Sequence, residues 1–91
     1  MAVVFKLVRG GDPRIPVEFD GQYLKEFDHE AFDGQGDAYF TKDIKEAKKF
    51  PTFMDAMQFR IRVPECKPVR EDGQPNRPMT ATNWVFETVK D

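Results

Sequence analysis

The sequence contains no serine, one cysteine and one histidine, and these shortages exclude several classes of active site. Without serine, neither a Gly-x-Ser-x-Gly nucleophile elbow nor a Ser-His-Asp triad can form. Because Cys66 has no second cysteine in the sequence, an internal disulfide bond, a redox pair and a cysteine-based zinc cluster are also excluded. A Gly-rich phosphate loop is missing too, since Gly10 and Gly11 are followed by Asp12 and Pro13.

Long apolar runs are absent as well. No stretch approaches the roughly 18 residues that a membrane-spanning helix needs. The opening residues Met-Ala-Val-Val-Phe-Lys lack the charged-then-apolar order of a signal peptide. A solitary cysteine is typical of proteins in reducing compartments. We therefore expect a cytoplasmic protein without membrane contact.

The length of 91 residues predicts one domain, residues 1–91, with a thin hydrophobic core. Nine Phe, two Tyr and one Trp supply much of that core. Residues 1–44 hold five Lys/Arg and nine Asp/Glu, a charge of −4, whereas residues 45–91 hold nine and seven, a charge of +2. This asymmetry predicts either two oppositely charged surfaces or an ordinary scatter of solvated charge.

Four segments have the pattern of strands. Residues 2–9 are rich in β-branched and aromatic residues and have apolar residues on both faces, which is typical of a central strand. Residues 17–27 contain two β-prone runs around an Asp-Gly pair, the pattern of a β-hairpin. Residues 38–41 predict a short strand, and residues 80–90 predict a long one. We expect the first and last strands to be neighbours in the centre of the sheet.

Two helices are expected between these strands. Asp43 and Glu46 form a potential capping box for a helix that Pro51 stops. Thr52 is the expected N-cap of the second helix, and Pro64 limits it. The expected apolar face of that helix consists of Phe53, Ala56, Met57, Phe59 and Ile61. The sequence therefore predicts an α+β domain, with an antiparallel sheet of three to five strands and two short helices packed on one face.

Catalytic or metal-binding chemistry has few candidates. His29 lies in an acidic loop, residues 28–37, and is expected to be a solvated side chain rather than a functional one. The loop does not match the ligand spacing of a calcium loop, so no metal site and no cofactor are predicted. Cys66 is expected to be an inert thiol. The alternative, a small hydrolase, needs Cys66 and His29 in contact as a nucleophile pair together with an oxyanion site, and Lys67 could help by lowering the pKa of the thiol.

The Pro-rich segment at residues 64–78 is the main candidate for function. It holds four of the seven prolines, fits no helix or strand, and is long for a connection in a compact domain. Cationic and amide side chains accompany it, and the proposed contact residues are Arg60, Arg62, Lys67, Arg70, Asn76 and Arg77. These residues suit a protein contact, a phosphate-contacting patch on nucleic acid, or a solvated face.

Much of residues 23–81 resembles small, mostly uncharacterised proteins encoded by bacteriophages and prophages. The most specific stretch is Asp-Gly-x-Pro-Asn-Arg-Pro at residues 72–78. The other matching pieces are Tyr23-Leu24-x-x-Phe27-Asp28, Phe40-Thr41-x-Asp43, Ala47-x-x-Phe50 and Ala56-x-x-Phe59. Such proteins often bind host complexes, including CRISPR effectors, and the resemblance carries no site residues with it.

The sequence and the resemblance lead to two hypotheses. The first is a non-enzymatic interaction protein of the bacterial cytoplasm that binds a host protein or ribonucleoprotein complex, in concrete form an inhibitor of a CRISPR-type defence complex. Prolines in an exposed loop favour binding because they lower the entropy lost on ordering it. The alternative is a small nucleic-acid-binding module that uses the basic second half, with an affinity that falls steeply with salt. The oligomeric state is left open.

Overall fold

The computed structural model describes residues 1–90 and contains one antiparallel sheet of four strands in the order β3-β2-β1-β4. The strands are β1 (Ala2–Leu7), β2 (Tyr23–Asp28), β3 (Asp37–Thr41) and β4 (Trp84–Val89). Two helices, α1 (Ala31–Gly34) and α2 (Phe53–Arg60), and three 3₁₀ helices, Val17–Phe19, Ile44–Glu46 and Pro78–Ala81, complete the described elements. The α+β class and the antiparallel sheet are confirmed.

Strand β1 is an inner strand, as its two-sided apolar pattern predicts. Phe5 and Val4 have no exposed surface although they face opposite sides of the sheet. β1 pairs with β4 in an unbroken register from Ala2↔Val89 to Leu7↔Trp84. The first and last strands are therefore neighbours, but β4 lies at the edge of the sheet rather than in its centre.

The predicted hairpin at residues 17–27 is wrong in its first arm. Val17–Phe19 is a 3₁₀ helix, and β2 pairs with β1 and β3 instead. Pro16, which has no N–H to donate to a ladder, precedes the 3₁₀ helix. The Asp-Gly pair still makes a turn, with Gly21 at φ +82° and the Gln22 amide donating to the Phe19 carbonyl (3.0 Å).

The predicted helix after Asp43 is also wrong. Only the 3₁₀ helix Ile44–Glu46 forms, and the Asp43 side chain accepts from the amide of Lys45 rather than that of Glu46. The chain then extends and enters the sheet, where Phe50 exchanges two backbone hydrogen bonds of 2.9 Å with Val3. Pairing with β1 therefore overrides the local helical pattern, and the first described helix lies at Ala31–Gly34 instead.

Helix α2 begins as predicted, because the Thr52 hydroxyl accepts a hydrogen bond from the Asp55 amide (3.2 Å). Its predicted apolar face is only partly buried. Ala56 is fully buried and Phe59 packs against the core, but Phe53 is 52% exposed. Ile61, at the end of the helix, is also exposed.

The main hydrophobic cluster lies on the face of the sheet that Phe5 points to. The ring of Phe5 contacts Phe50, Trp84 and Phe86, and Phe40 of β3 stacks on Trp84 of β4 with ring centroids 5.9 Å apart. β4 is shorter than residues 80–90, since the 3₁₀ helix Pro78–Ala81 occupies the start of that stretch. Across residues 1–90, no helix has the length and apolar character to cross a membrane.

Candidate functional site

The Pro-rich segment folds into a tight hairpin rather than an open loop. Arg70 donates its amide to the Gln74 carbonyl (2.8 Å), and Asn76 donates its amide to the Pro68 carbonyl (2.9 Å). The turn closes with a bond of 3.0 Å from the Gly73 amide to the Arg70 carbonyl, and Gly73 has φ +85°. As predicted, the segment forms no regular helix or strand before Pro78, yet its backbone is extensively hydrogen-bonded.

The acidic loop packs directly onto this hairpin. The Asn76 side-chain amide donates to the carbonyls of Gly34 (2.8 Å) and Lys67 (3.0 Å). The Glu30 carboxylate accepts from the amides of Glu65 (2.7 Å) and Cys66 (3.0 Å). We refer to residues 30–36 and 64–77 together as the two-loop surface.

A left-handed stretch of backbone shapes the acidic loop. Phe32, Asp33 and Gly34 follow one another with φ values of +52°, +58° and +86°, so α1 is a short left-handed turn after Ala31 rather than a regular α-helix. The left-handed region costs a residue with a side chain about 1–2 kcal/mol, so Phe32 and Asp33 are strained. Phe32 is nevertheless 69% exposed and therefore recovers little of this cost by burial. Phe32 is not among the site residues predicted from the sequence, although an aromatic residue directly before an Asp-Gly pair in a polar loop is a recognisable signal.

Two neighbouring depressions open on the two-loop surface, with volumes of about 360 and about 550 Å³. Gln35, Arg70 and Asn76 line both, so the depressions meet around these side chains. Lys67 lines the first and Arg77 the second. The structure therefore brings together four of the six residues that the sequence analysis proposed.

Arg60 and Arg62 line neither depression. Arg60 ends helix α2 and has a buried Nε without a hydrogen-bond partner among the described residues. Asn76 is half-buried and spends its side-chain donors on two backbone carbonyls, so its main effect is to hold the two loops together.

The charge around the depressions is mixed. The Arg70 guanidinium lies 3.1 Å from the Asp72 carboxylate, and both side chains are more than half exposed. Asp33 and Glu71 line the first depression beside Lys67. The cationic groups of this surface are therefore interleaved with carboxylates.

The expectation that His29 is a solvated side chain is wrong. The imidazole is 3% exposed and lies between the rings of Phe27 and Phe59, each with its centroid 4.8 Å away. Nε2 donates to the Phe59 carbonyl (3.2 Å). Burial lowers the pKa of His29 below its ordinary value; the nearby Arg62 acts in the same direction.

The free energy of unfolding is expected to fall as the pH drops below about 6.5, because His29 must become charged inside an aromatic pocket. A histidine whose pKa is lowered by folding contributes its stability above the unfolded value and loses it on acidification, at up to about 1.4 kcal/mol per pH unit. Urea titrations between about pH 7 and about pH 5 measure this slope. A His29→Gln variant should give a flatter profile, and an equal slope in both proteins would contradict the assignment.

Cys66 is exposed and sits beside Glu30. The interaction with Glu30 raises the pKa of the Cys66 thiol and lowers the pKa of the Glu30 carboxyl. A nucleophilic cysteine needs the opposite shift. Cys66 donates to the Glu30 carbonyl, whereas the buried His29 donates to the Phe59 carbonyl, so among the described residues the two are not hydrogen-bonded as the hydrolase alternative requires.

Within residues 1–90 no group of three or more His, Cys, Asp or Glu side chains is arranged to hold a metal ion. The comparisons with known proteins gave no matching family model, curated protein or solved structure. The two-loop surface, with its mixed charge and exposed phenylalanine, is the candidate functional site.

Proposed function

We propose that the protein is a non-enzymatic binding protein whose two-loop surface contacts another protein. Phe32, which lines neither depression but precedes the lining residue Asp33, is the apolar anchor of this contact. Lys67, Arg70 and Arg77, which line the depressions, supply its polar contacts. Aromatic and arginine side chains are the residue types that dominate the energetics of protein interfaces.

The observation that carries the proposal is the strained and exposed state of Phe32. Its left-handed backbone costs about 1–2 kcal/mol, and its exposed ring returns almost nothing in the free protein. Covering a phenylalanine side chain contributes about 1.5–3 kcal/mol. A partner with an apolar pocket would therefore gain from a ring that the fold already holds outward.

The rigidity of the surroundings supports the same function. The hairpin is closed by its own backbone bonds, and Glu30 and Asn76 fix it to the acidic loop. Binding to a preorganised surface avoids the entropy cost of ordering flexible loops. The exposed side chains of Phe32 and Val69 thus extend from backbones that are already fixed.

The mixed charge favours a protein partner over nucleic acid. Phosphate backbones select surfaces of uniform positive charge, whereas Asp33, Glu71 and Asp72 lie among the cations here. The nucleic-acid alternative therefore lacks a specific supporting observation. The resemblance of residues 23–81 to small phage-encoded proteins supports a bacterial host complex, such as a CRISPR-type defence complex, as the partner.

The test compares capture of bacterial proteins by the wild-type chain and by a Phe32→Ala/Arg70→Ala variant, followed by binding measurements on each purified candidate. We expect the double variant to weaken binding by about 30-fold or more, equivalent to about 2 kcal/mol. The matched control is Val17→Ala/Lys42→Ala, which removes an equally exposed apolar side chain and an exposed cation elsewhere.

Two results would count against the proposal. One is a partner that binds the wild type and the Phe32→Ala/Arg70→Ala variant equally well while losing affinity for the control. The other is tight, salt-sensitive binding of a labelled oligonucleotide, which would favour the nucleic-acid alternative.

A further inference from the structure

Strand β4 forms an open edge of the sheet. The Val8 amide donates to the Asn83 carbonyl (3.0 Å), which fixes the alternation of the β1–β4 ladder. Val85 and Glu87 therefore exchange their backbone bonds with β1, whereas Phe86 and Thr88 direct their N–H and C=O groups away from it. Within residues 1–90, these outward groups have no hydrogen-bond partner.

Glu87 is the one charged residue of Trp84–Val89, and the other usual protections of an edge strand are missing. The strand contains no proline and no lysine, and its register with β1 has no bulge. Apolar side chains flank the edge on both faces of the sheet. On the core face, the ring of Phe53, which is 52% exposed, contacts the ring of Phe86 with their centroids 4.6 Å apart. Val85, which is 43% exposed, lies on the opposite face.

We propose that β4 pairs with β4 of a second copy of this chain, so that two sheets join into one continuous antiparallel sheet. A row of alternating backbone donors and acceptors is completed by another extended strand. Antiparallel pairing about a two-fold axis at Phe86 places Phe86 opposite its own copy and Trp84 opposite Thr88. Every outward group of the strand is then paired.

Charge selects this register over its neighbour. Centring the axis on Phe86 places Glu87 of each copy opposite Val85 of the other. Shifting the axis to Glu87 would place two like charges directly opposite each other, which is destabilising. The favoured register also covers Val85, and it brings the exposed Phe53 of each copy towards the joined edge.

The test uses sedimentation velocity of the full chain over a concentration series up to about 0.5 mM, where a weak dimer is populated. Val85→Glu places the introduced carboxylate opposite Glu87 of the other copy, and Val85→Lys places a cation there. Both variants lose the valine and differ in the sign of the charge. We expect the glutamate variant to dimerise at least about tenfold more weakly than the lysine variant, because two symmetry-related pairs change sign.

Misfolding would not explain that order. Within the chain, Lys6 lies opposite Val85 and Glu87 lies two positions along the same face, so each introduced charge meets one favourable and one unfavourable neighbour in the monomer. A second variant, Thr88→Pro, removes an outward amide that makes no bond within the chain, while Thr88→Val retains it. We expect the proline variant to be monomeric and the valine variant to dimerise.

A wild-type chain that stays monomeric at about 0.5 mM would overturn the proposal, whether or not a strand of another protein then binds the edge. Equal dimerisation of the glutamate and lysine variants would overturn it as well. Since this edge is separate from the two-loop surface, loss of the dimer leaves the proposed function to be judged by its own experiment.

Discussion

Replacing Gly36 by alanine is expected to lower the free energy of unfolding by about 3–5 kcal/mol. Gly36 has φ +86°, a conformation that strains any residue with a side chain. A Cβ atom at this position would lie 2.6 Å from Cζ of Phe27 and 2.8 Å from Cβ of Pro78. Phe27 belongs to the core and Pro78 is buried, so neither can move aside without disturbing packed neighbours.

Gly73 provides the matched control. Its φ of +85° is almost the same, but nothing lies within 4 Å of the position that a Cβ would occupy. Gly73→Ala should therefore show the backbone strain alone, about 1–2 kcal/mol. Urea unfolding of the two variants separates strain from overlap. Equal losses in both would mean that contact with Phe27 and Pro78 contributes nothing.

The sequence predicted those elements whose pattern and tertiary role agree. β1 is apolar on both faces and lies inside the sheet, and the Thr52 cap starts α2 where expected. Prediction from the sequence failed for segments whose structure depends on hydrogen bonds to residues far away in the chain. The helix predicted after Asp43 does not form, because Phe50 instead makes two backbone hydrogen bonds with Val3, which is far away in the chain.

The candidate site could be predicted only in part, for the same reason. The Pro-rich segment was predicted to be the candidate site from its length and composition, which are local properties. The bonds that fix it are long-range, since Asn76 and Gly34 are separated by 42 positions. His29 looked solvated because its neighbours in sequence are charged, yet the rings that bury it come from Phe27 and Phe59.

The contacts that shape the two-loop surface also stabilise the fold. A Cβ on Gly34 would lie 2.9 Å from Cβ of Lys67 and 3.2 Å from Nδ2 of Asn76, which shows how closely the two loops approach. Asn76 therefore differs in role from Arg70, with which the sequence analysis grouped it. Substitutions at Arg70 should act on binding alone, whereas substitutions at Asn76 should act first on stability.

The Asn76→Asp variant is expected to lose about 3 kcal/mol of unfolding free energy at neutral pH. The side-chain NH₂ of Asn76 donates to the Gly34 and Lys67 carbonyls at 2.8 and 3.0 Å. Aspartate has nearly the same shape but offers only acceptor oxygens when ionised, so oxygen would face oxygen at both contacts. The loss includes repulsion as well as two missing bonds.

Asn76→Ala separates these two contributions. It removes the donors without adding a charge, so we expect a smaller loss, about 1–2 kcal/mol. Acidification that protonates the introduced carboxyl restores one donor, and the gap between the two variants should then narrow. Denaturant titrations at neutral and acidic pH measure both effects. If the alanine and aspartate variants lost the same unfolding free energy at neutral pH, repulsion between the introduced carboxylate and the two carbonyls would contribute nothing.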